Sequence, residues 1–139
     1  MQNVLDAANN LHKKAKFFFL GSVDNNGFPN IKAVLPVNKR ESIRHIYFST
    51  NTSSKHVAQY RANPKSCVYF YSPLFFKGVL LKGVIEVVEA TEIKERFWNK
   101  GDLKYYPKGV TDPDYCILKF TAQEGRYYSN FKSNDFVIE

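Results

Sequence analysis

The chain has 139 residues, 44% of them hydrophobic, with twelve Phe, nine Tyr, a formal charge of +7 and a pI near 9.4. This length sets a single domain with a sizeable core, and the aromatic content argues against disorder. The positive balance suits a phosphorylated small molecule, a nucleic acid or an anionic surface, but no basic run exceeds two residues, which excludes a polybasic tract.

Residues 3–14 place Val4, Leu5, Ala8 and Leu11 at helical spacing and predict a short amphipathic helix. Lys16 to Val23 is aromatic and β-branched enough for a strand covered on both faces. Asp24-Asn25-Asn26-Gly27 then reads as a hairpin turn, because Asn and Gly accept positive φ. The return strand, Asn30 to Val37, sets Ile31, Ala33, Leu35 and Val37 on one face and Lys32 with Val34 on the other. Lys32 is a charge in an otherwise apolar strand, and the ordinary fate of such a lysine is to snorkel to an edge. Pro36 ends the strand or puts it at a sheet edge.

A polar loop, Asn38 to His45, leads to the strand Ile46 to Ser49. The hydroxyl and amide run Ser49 to Ser54 breaks that strand. Ser53 or Ser54 makes an N-cap, and a short helix continues over Val57 to Ala62 until Asn63-Pro64 stops it. A strand passing through a hydroxyl-rich turn into a helix start is an anion site in waiting, since free N–H groups and the dipole point the same way. Lys55 in the first turn opposes that dipole, at a cost of about 0.3–1 kcal/mol, and a negative group beside it reverses the sign. Phosphate fits, with Ser49, Thr50 and Ser54 as hydroxyl donors. The competing reading is a capped surface helix with a solvated lysine.

Ser66 to Tyr71 is the next strand, Ser72-Pro73 turns the chain, and Val79 to Val88 is a long strand in which Gly83 marks a bend or bulge. Thr91 to Lys100 has the pattern of a capped helix, with Ile93 and Phe97 four apart. Gly101 to Asp114 is loop and carries Tyr105-Tyr106-Pro107. Tyr115 to Thr121 is a last strong strand, Gly125 to Ser129 adds a candidate, and residues 130–139 form a polar tail expected to fray.

Together these pieces predict one domain over residues 1–139, mainly β, a six-stranded antiparallel barrel with helices at its rim. Cys67 and Cys116 stand far apart in strand-like stretches and read as buried free thiols, so no metal site is expected. His12, His45 and His56 have no carboxylate or nucleophile at diagnostic spacing, and no catalytic residue can be assigned. The aromatics fall in core-like strands rather than along a basic stripe, which disfavours nucleic acid. With no apolar leader and no long uncharged apolar span, a soluble cytoplasmic protein is expected, without a membrane partner.

The order of the pieces resembles the pyridoxamine 5′-phosphate oxidase-like family of FMN-binding split barrels, in its short general-stress-protein branch. The likeness runs from about Phe17 to Tyr128. It is carried by the hairpin Asp24 to Pro29, the strand Lys32-Ala33-Val34-Leu35, the turn Phe48 to Lys55, and Asn63-Pro64 before a strand. Gly83 within the long strand, and Trp98 before Tyr105-Tyr106-Pro107, complete the series.

The resemblance implies FMN at a homodimer interface. Lys32 and Lys55 neutralise its phosphate, Ser49, Thr50 and Ser54 add hydrogen bonds, and the strand through Ala33, Val34 and Leu35 lies along the ring. Tyr105 and Tyr106 are expected at the ring or the dimer seam. Three positions depart from the pattern: Lys32 where arginine is commoner, His56 where some members have another basic residue, and Gly78 where some have a cofactor-contacting glutamine. The arginine-containing C-terminal segment that reads pyridoxal phosphate has no counterpart after Gly125, so vitamin B6 oxidation is not expected. The activity implied is an FMN-dependent oxidoreductase of unknown small-molecule substrate and electron donor. The alternative is a module that carries flavin or haem without turnover.

Overall fold

A computed structural model describes residues 3–37 and 39–139; Asn38, the first residue of the polar loop, and the first two residues of the predicted domain lie outside them. Helix α1, Val4–Lys14, starts where Asn3 Oδ1 accepts the Leu5 N–H at 2.7 Å, and it turns Ala8, Leu11 and His12 inward. Strand β1, Phe18–Val23, pairs with β2, Pro29–Val34, across the expected turn. In that turn Gly27 has φ 81°, and Asp24 Oδ1 accepts the Asn26 and Phe28 N–H groups at 3.0 and 2.9 Å.

Strand β3, His45–Asn51, leads to helix α2, Lys55–Ala62, and then to β4, Lys65–Ser72, and β5, Lys77–Val88. Helix α3 covers Thr91–Phe97, three residues shorter than its sequence pattern, and the loop after it contains two 3-10 turns, Lys100–Lys104 and Gly109–Thr111. Strand β6, Tyr115–Ser129, and β7, Lys132–Val137, complete the chain.

All pairings are antiparallel, and the sheet runs β2-β1-β4-β5-β6-β3, with β7 also on β6. Long β6 holds β3 along its first half and β7 along its second, while β5 covers its other edge throughout. The β5–β6 register shifts between Lys82 and Gly83. Gly83 is required there, since a Cβ would stand 2.0 Å from the Thr121 carbonyl oxygen. The sheet curls at that bulge and stays unclosed, with β2 and β3 as its ends.

Two apolar clusters hold this shape. Inside the curl lie Phe18, Phe48, Phe70, Leu81 and Phe120, and Ala8 and Leu11 of α1 pack against them. On the opposite face of β3 and β6, Tyr47, Phe97, Tyr106, Tyr115 and Ile117 form the second cluster, with the Tyr47 and Phe97 rings stacked at 4.6 Å.

The C-terminal expectation is corrected. Residues 130–139 do not fray: β7 makes a seventh strand where six were expected, and the two candidate strands before it are one continuous β6. Asn130 and Phe131 both take left-handed φ, 52° and 64°, and close a two-residue hairpin turn. Phe136 and Ile138 then pack on the first core cluster. Gly125 leaves the room: its Cβ would fall 2.5 Å from the Phe136 ring. Among the described residues no helix is long and apolar enough to cross a membrane, and no group of three or more His, Cys, Asp or Glu is placed to hold a metal. Cys67 and Cys116 are free thiols, half-buried and buried.

Candidate functional site

The polar anomalies of the sequence meet where β3 hands over to α2. Strand alternation sends Thr50 inward beside Phe48, so its hydroxyl ends the interior face of β3. The turn after it is pinned from outside, with the Thr52 N–H on the Asp114 carbonyl at 2.7 Å and the Ser53 N–H on Asp114 Oδ1 at 2.8 Å. Asp114 is itself positioned, because its N–H is held by buried Asp112 at 2.9 Å. The buried Lys94 of α3 grips the Asp112 carbonyl at 3.1 Å. Helix α2 is fastened to β1 by buried Val57 and by the Tyr60 hydroxyl, which donates to the Gly21 carbonyl at 2.9 Å.

His56 is the hub. Its Nε2 lies 3.0 Å from Thr50 Oγ1 and 3.3 Å from Ser54 Oγ, and its Nδ1 lies 3.4 Å from Lys32 Nζ. An ammonium has no lone pair, so Nδ1 must accept from Lys32, and Nε2–H donates to the hydroxyls. The imidazole is neutral: burial first, and the Lys32 charge second, lower its pKa from 6.5 to about 4.

Two features mark this cluster as built for something more. Ser54 is the N-cap of α2 and makes no side-chain capping bond, which leaves the first N–H groups of the helix uncommitted to it. Lys32 and Lys55 enter none of the ion pairs among the described residues, and no acidic residue sits in the first turn of α2. A helix start, two hydroxyls and Lys32, with Lys55 exposed at the same helix start, complement a small dianion.

The other expected residues are dispersed. Ser49 points away from Thr50, to the face of the second cluster beside Tyr115. Lys55 is exposed at the helix start. On β2, Val34 packs against the core, while Ala33 and neighbouring Leu35 are exposed on the outer face. Tyr106 is buried against Trp98 and Tyr115, with ring centroids 6.4 and 5.0 Å away, whereas Tyr105 is 75% exposed. Gly78 is buried beneath Tyr69, whose hydroxyl takes the place of a side chain there, 2.2 Å from where a Cβ would stand.

His56 was seen in the sequence only as a departure from a basic position. The available signal was its place two residues after a candidate N-cap and six after the strand-end threonine.

An unclosed antiparallel barrel with a basic, hydroxyl-lined helix start at one edge is the split-barrel type. The chain belongs to the pyridoxamine 5′-phosphate oxidase family, whose model matches residues 4–129. Among solved structures it is similar to a Clostridium acetobutylicum protein related to general stress protein 26 of B. subtilis. That likeness has 39% identity and a TM-score of 0.85, over 96% of this chain and 94% of that one. Two more distant structures share the fold. One is a heme binding protein from Mycobacterium smegmatis, with 15% identity and TM-score 0.78 over 99% of this chain and 59% of that one. The other is an FMN binding protein from Nostoc punctiforme, with 14% identity and TM-score 0.64 over 96% and 92%. No curated protein matches the chain.

Proposed function

We propose that this cluster holds the phosphate of FMN, and that the protein is a cytoplasmic, homodimeric FMN-dependent oxidoreductase acting on a small molecule. The observation that carries the reading is the uncapped start of α2, where Ser54 turns to His56 beside Thr50 and Lys32. A phosphate there meets N–H groups, hydroxyls and two lysine charges at once, each a charge-assisted contact of about 1.5–3 kcal/mol before exposure is discounted. Bound FMN supplies one- and two-electron transfer at its ring. The work of this chain's residues is to bind and orient it.

The Nostoc relative, described as FMN binding, supports that cofactor; the Mycobacterium relative, described as heme binding, supplies the competing reading of a carrier without turnover. A second copy fits the outer face of the sheet, where Ile31 and Leu35 are 74% and 79% exposed beside the cross-strand neighbours Phe19 and Tyr69. Two free thiols suit a reducing compartment.

The test is the visible spectrum of the purified protein after incubation with FMN and gel filtration. Flavin bands that bleach on anaerobic reduction and elute with a dimer support the reading. A Soret band assigns haem instead, and a colourless protein that also refuses added FMN overturns the proposal.

A further inference from the structure

A cavity of about 530 Å³ opens where α1 meets the ends of β1, β4, β5 and β6, and it shares no residue with the His56 cluster. The chain builds it from two short stretches. The exit of α1 into β1 delivers Lys14, Lys16 and Phe17 almost in succession, and the β4–β5 turn brings Leu74 and Phe75. Tyr71 and Tyr127 come from β4 and β6. Phe17 and Tyr71 lie 6.4 Å apart at an open, tilted angle, and Lys77 Nζ stands 5.5 Å from the centre of the Phe75 ring.

The charge pattern is one-sided. Lys14, Lys16 and Lys77 are the charged residues lining the cavity; no carboxylate lines it, and none of the three enters an ion pair among the described residues. Three cations around aromatic walls repel one another and leave ring faces exposed, with Phe17 at 53% and Phe75 at 67%. An apolar body carrying one negative group relieves both. The cavity volume is that of a small-molecule site. Aromatic walls on several sides favour a flat ring system, which can lie against them in offset or edge contact, over a flexible chain.

We propose that this cavity is a second binding site, for a planar aromatic anion, separate from the phosphate cluster. Its rings pack on Phe17, Tyr71, Phe75 and Tyr127, and its acid group pairs with Lys14, Lys16 and Lys77. Asn10 and Ser72 on the lining add polar groups beside that acid group. The site does not depend on FMN being the cofactor.

The probe is 8-anilinonaphthalene-1-sulfonate, read by its fluorescence with the full-length folded protein, beside N-phenyl-1-naphthylamine, which keeps the rings and lacks the sulfonate. One saturable site per chain is expected. Lys14→Gln and Lys77→Gln each weaken the sulfonate about twofold to fivefold, the range of an exposed ion pair, and leave the neutral probe unchanged. Lys132→Gln changes neither. Ala7→Phe, which fills the lining from the surface of α1, abolishes both, with the near-ultraviolet circular dichroism retained as proof of folding.

Equal sulfonate affinity in all lysine variants, equal losses for both probes, or many weak sites overturn the proposal. So does stoichiometric displacement of the probe by FMN, which makes this cavity part of the flavin site. Failure of FMN to bind at all leaves the expected probe results unaltered, so the two readings fail separately.

Discussion

If the cluster holds the FMN phosphate as proposed, His56 should couple that binding to the uptake of a proton. Without ligand the imidazole is neutral, its pKa lowered from 6.5 to about 4 by burial and by Lys32. The groups facing it are Lys32 from β2, Thr50 from β3, Ser54 in the turn, and Tyr60 of α2 with its ring 6.1 Å away. The charged group among them, Lys32, is cationic and opposes protonation. A phosphate dianion placed among them reverses the local field and favours imidazolium.

If the bound imidazole returns to its ordinary range, about one proton is taken up over the interval between the two pKa values. The affinity of the protein for FMN relative to His56→Gln then rises about tenfold from about pH 8 to about pH 5.5. Taking the ratio to the variant at each pH cancels the phosphate's own titration near pH 6, roughly the second pKa of a phosphate monoester. Calorimetry in buffers of different ionisation enthalpy counts the proton directly. A ratio that stays constant with pH, with no buffer dependence, refutes the coupling even if FMN binds well.

Three predictions concern the scaffold. His12 is buried without a hydrogen-bond partner between Phe18 and Phe70, with its pKa lowered to about 4 by burial and by Arg40. Its contribution is fully present above about pH 6.5 and is lost as pH falls towards 4, so wild type should lose up to about 3 kcal/mol more than His12→Phe between about pH 7 and pH 4 in urea unfolding; equal losses contradict this. Gly83→Ala drives a methyl into the Thr121 carbonyl and should cost about 3 kcal/mol or more, seen as a large drop in Tm. Phe136→Ala should cost about 2 kcal/mol, since the ring packs on the core over Gly125, whereas a freely fraying tail predicts no change in the urea midpoint.

The main line of the fold was legible because its strands are rich in aromatic and β-branched residues and its turns use the residues their geometry needs. Gly27, Gly83 and Asn63-Pro64 each fall where the structure turns, bulges or stops a helix. The tail was not legible, because the turn into β7 puts Phe131 at left-handed φ, where Asn or Gly is the usual sign, and Lys132 to Asp135 offer no apolar residue to mark a strand. The cluster around His56 was half legible. Lys32 and the hydroxyl turn stood out as charge and composition, and Thr50 and Ser54 do meet Lys32 through His56. That Ser49 faces away follows from strand alternation once the register is known. The different environments of Tyr105 and Tyr106 depend on a 3-10 turn that carries no clear sequence mark.

The most direct measurement is a titration of FMN and riboflavin into wild type, Lys32→Ala, Lys55→Ala and the surface control Lys132→Ala. Loss of one charge-assisted phosphate contact corresponds to roughly tenfold to a hundredfold in Kd. FMN should lose that affinity in the first two variants, with little change for riboflavin, which lacks the phosphate, and wild-type binding in the control. Equal FMN affinity in all four proteins, or parallel losses for FMN and riboflavin, contradicts the phosphate site.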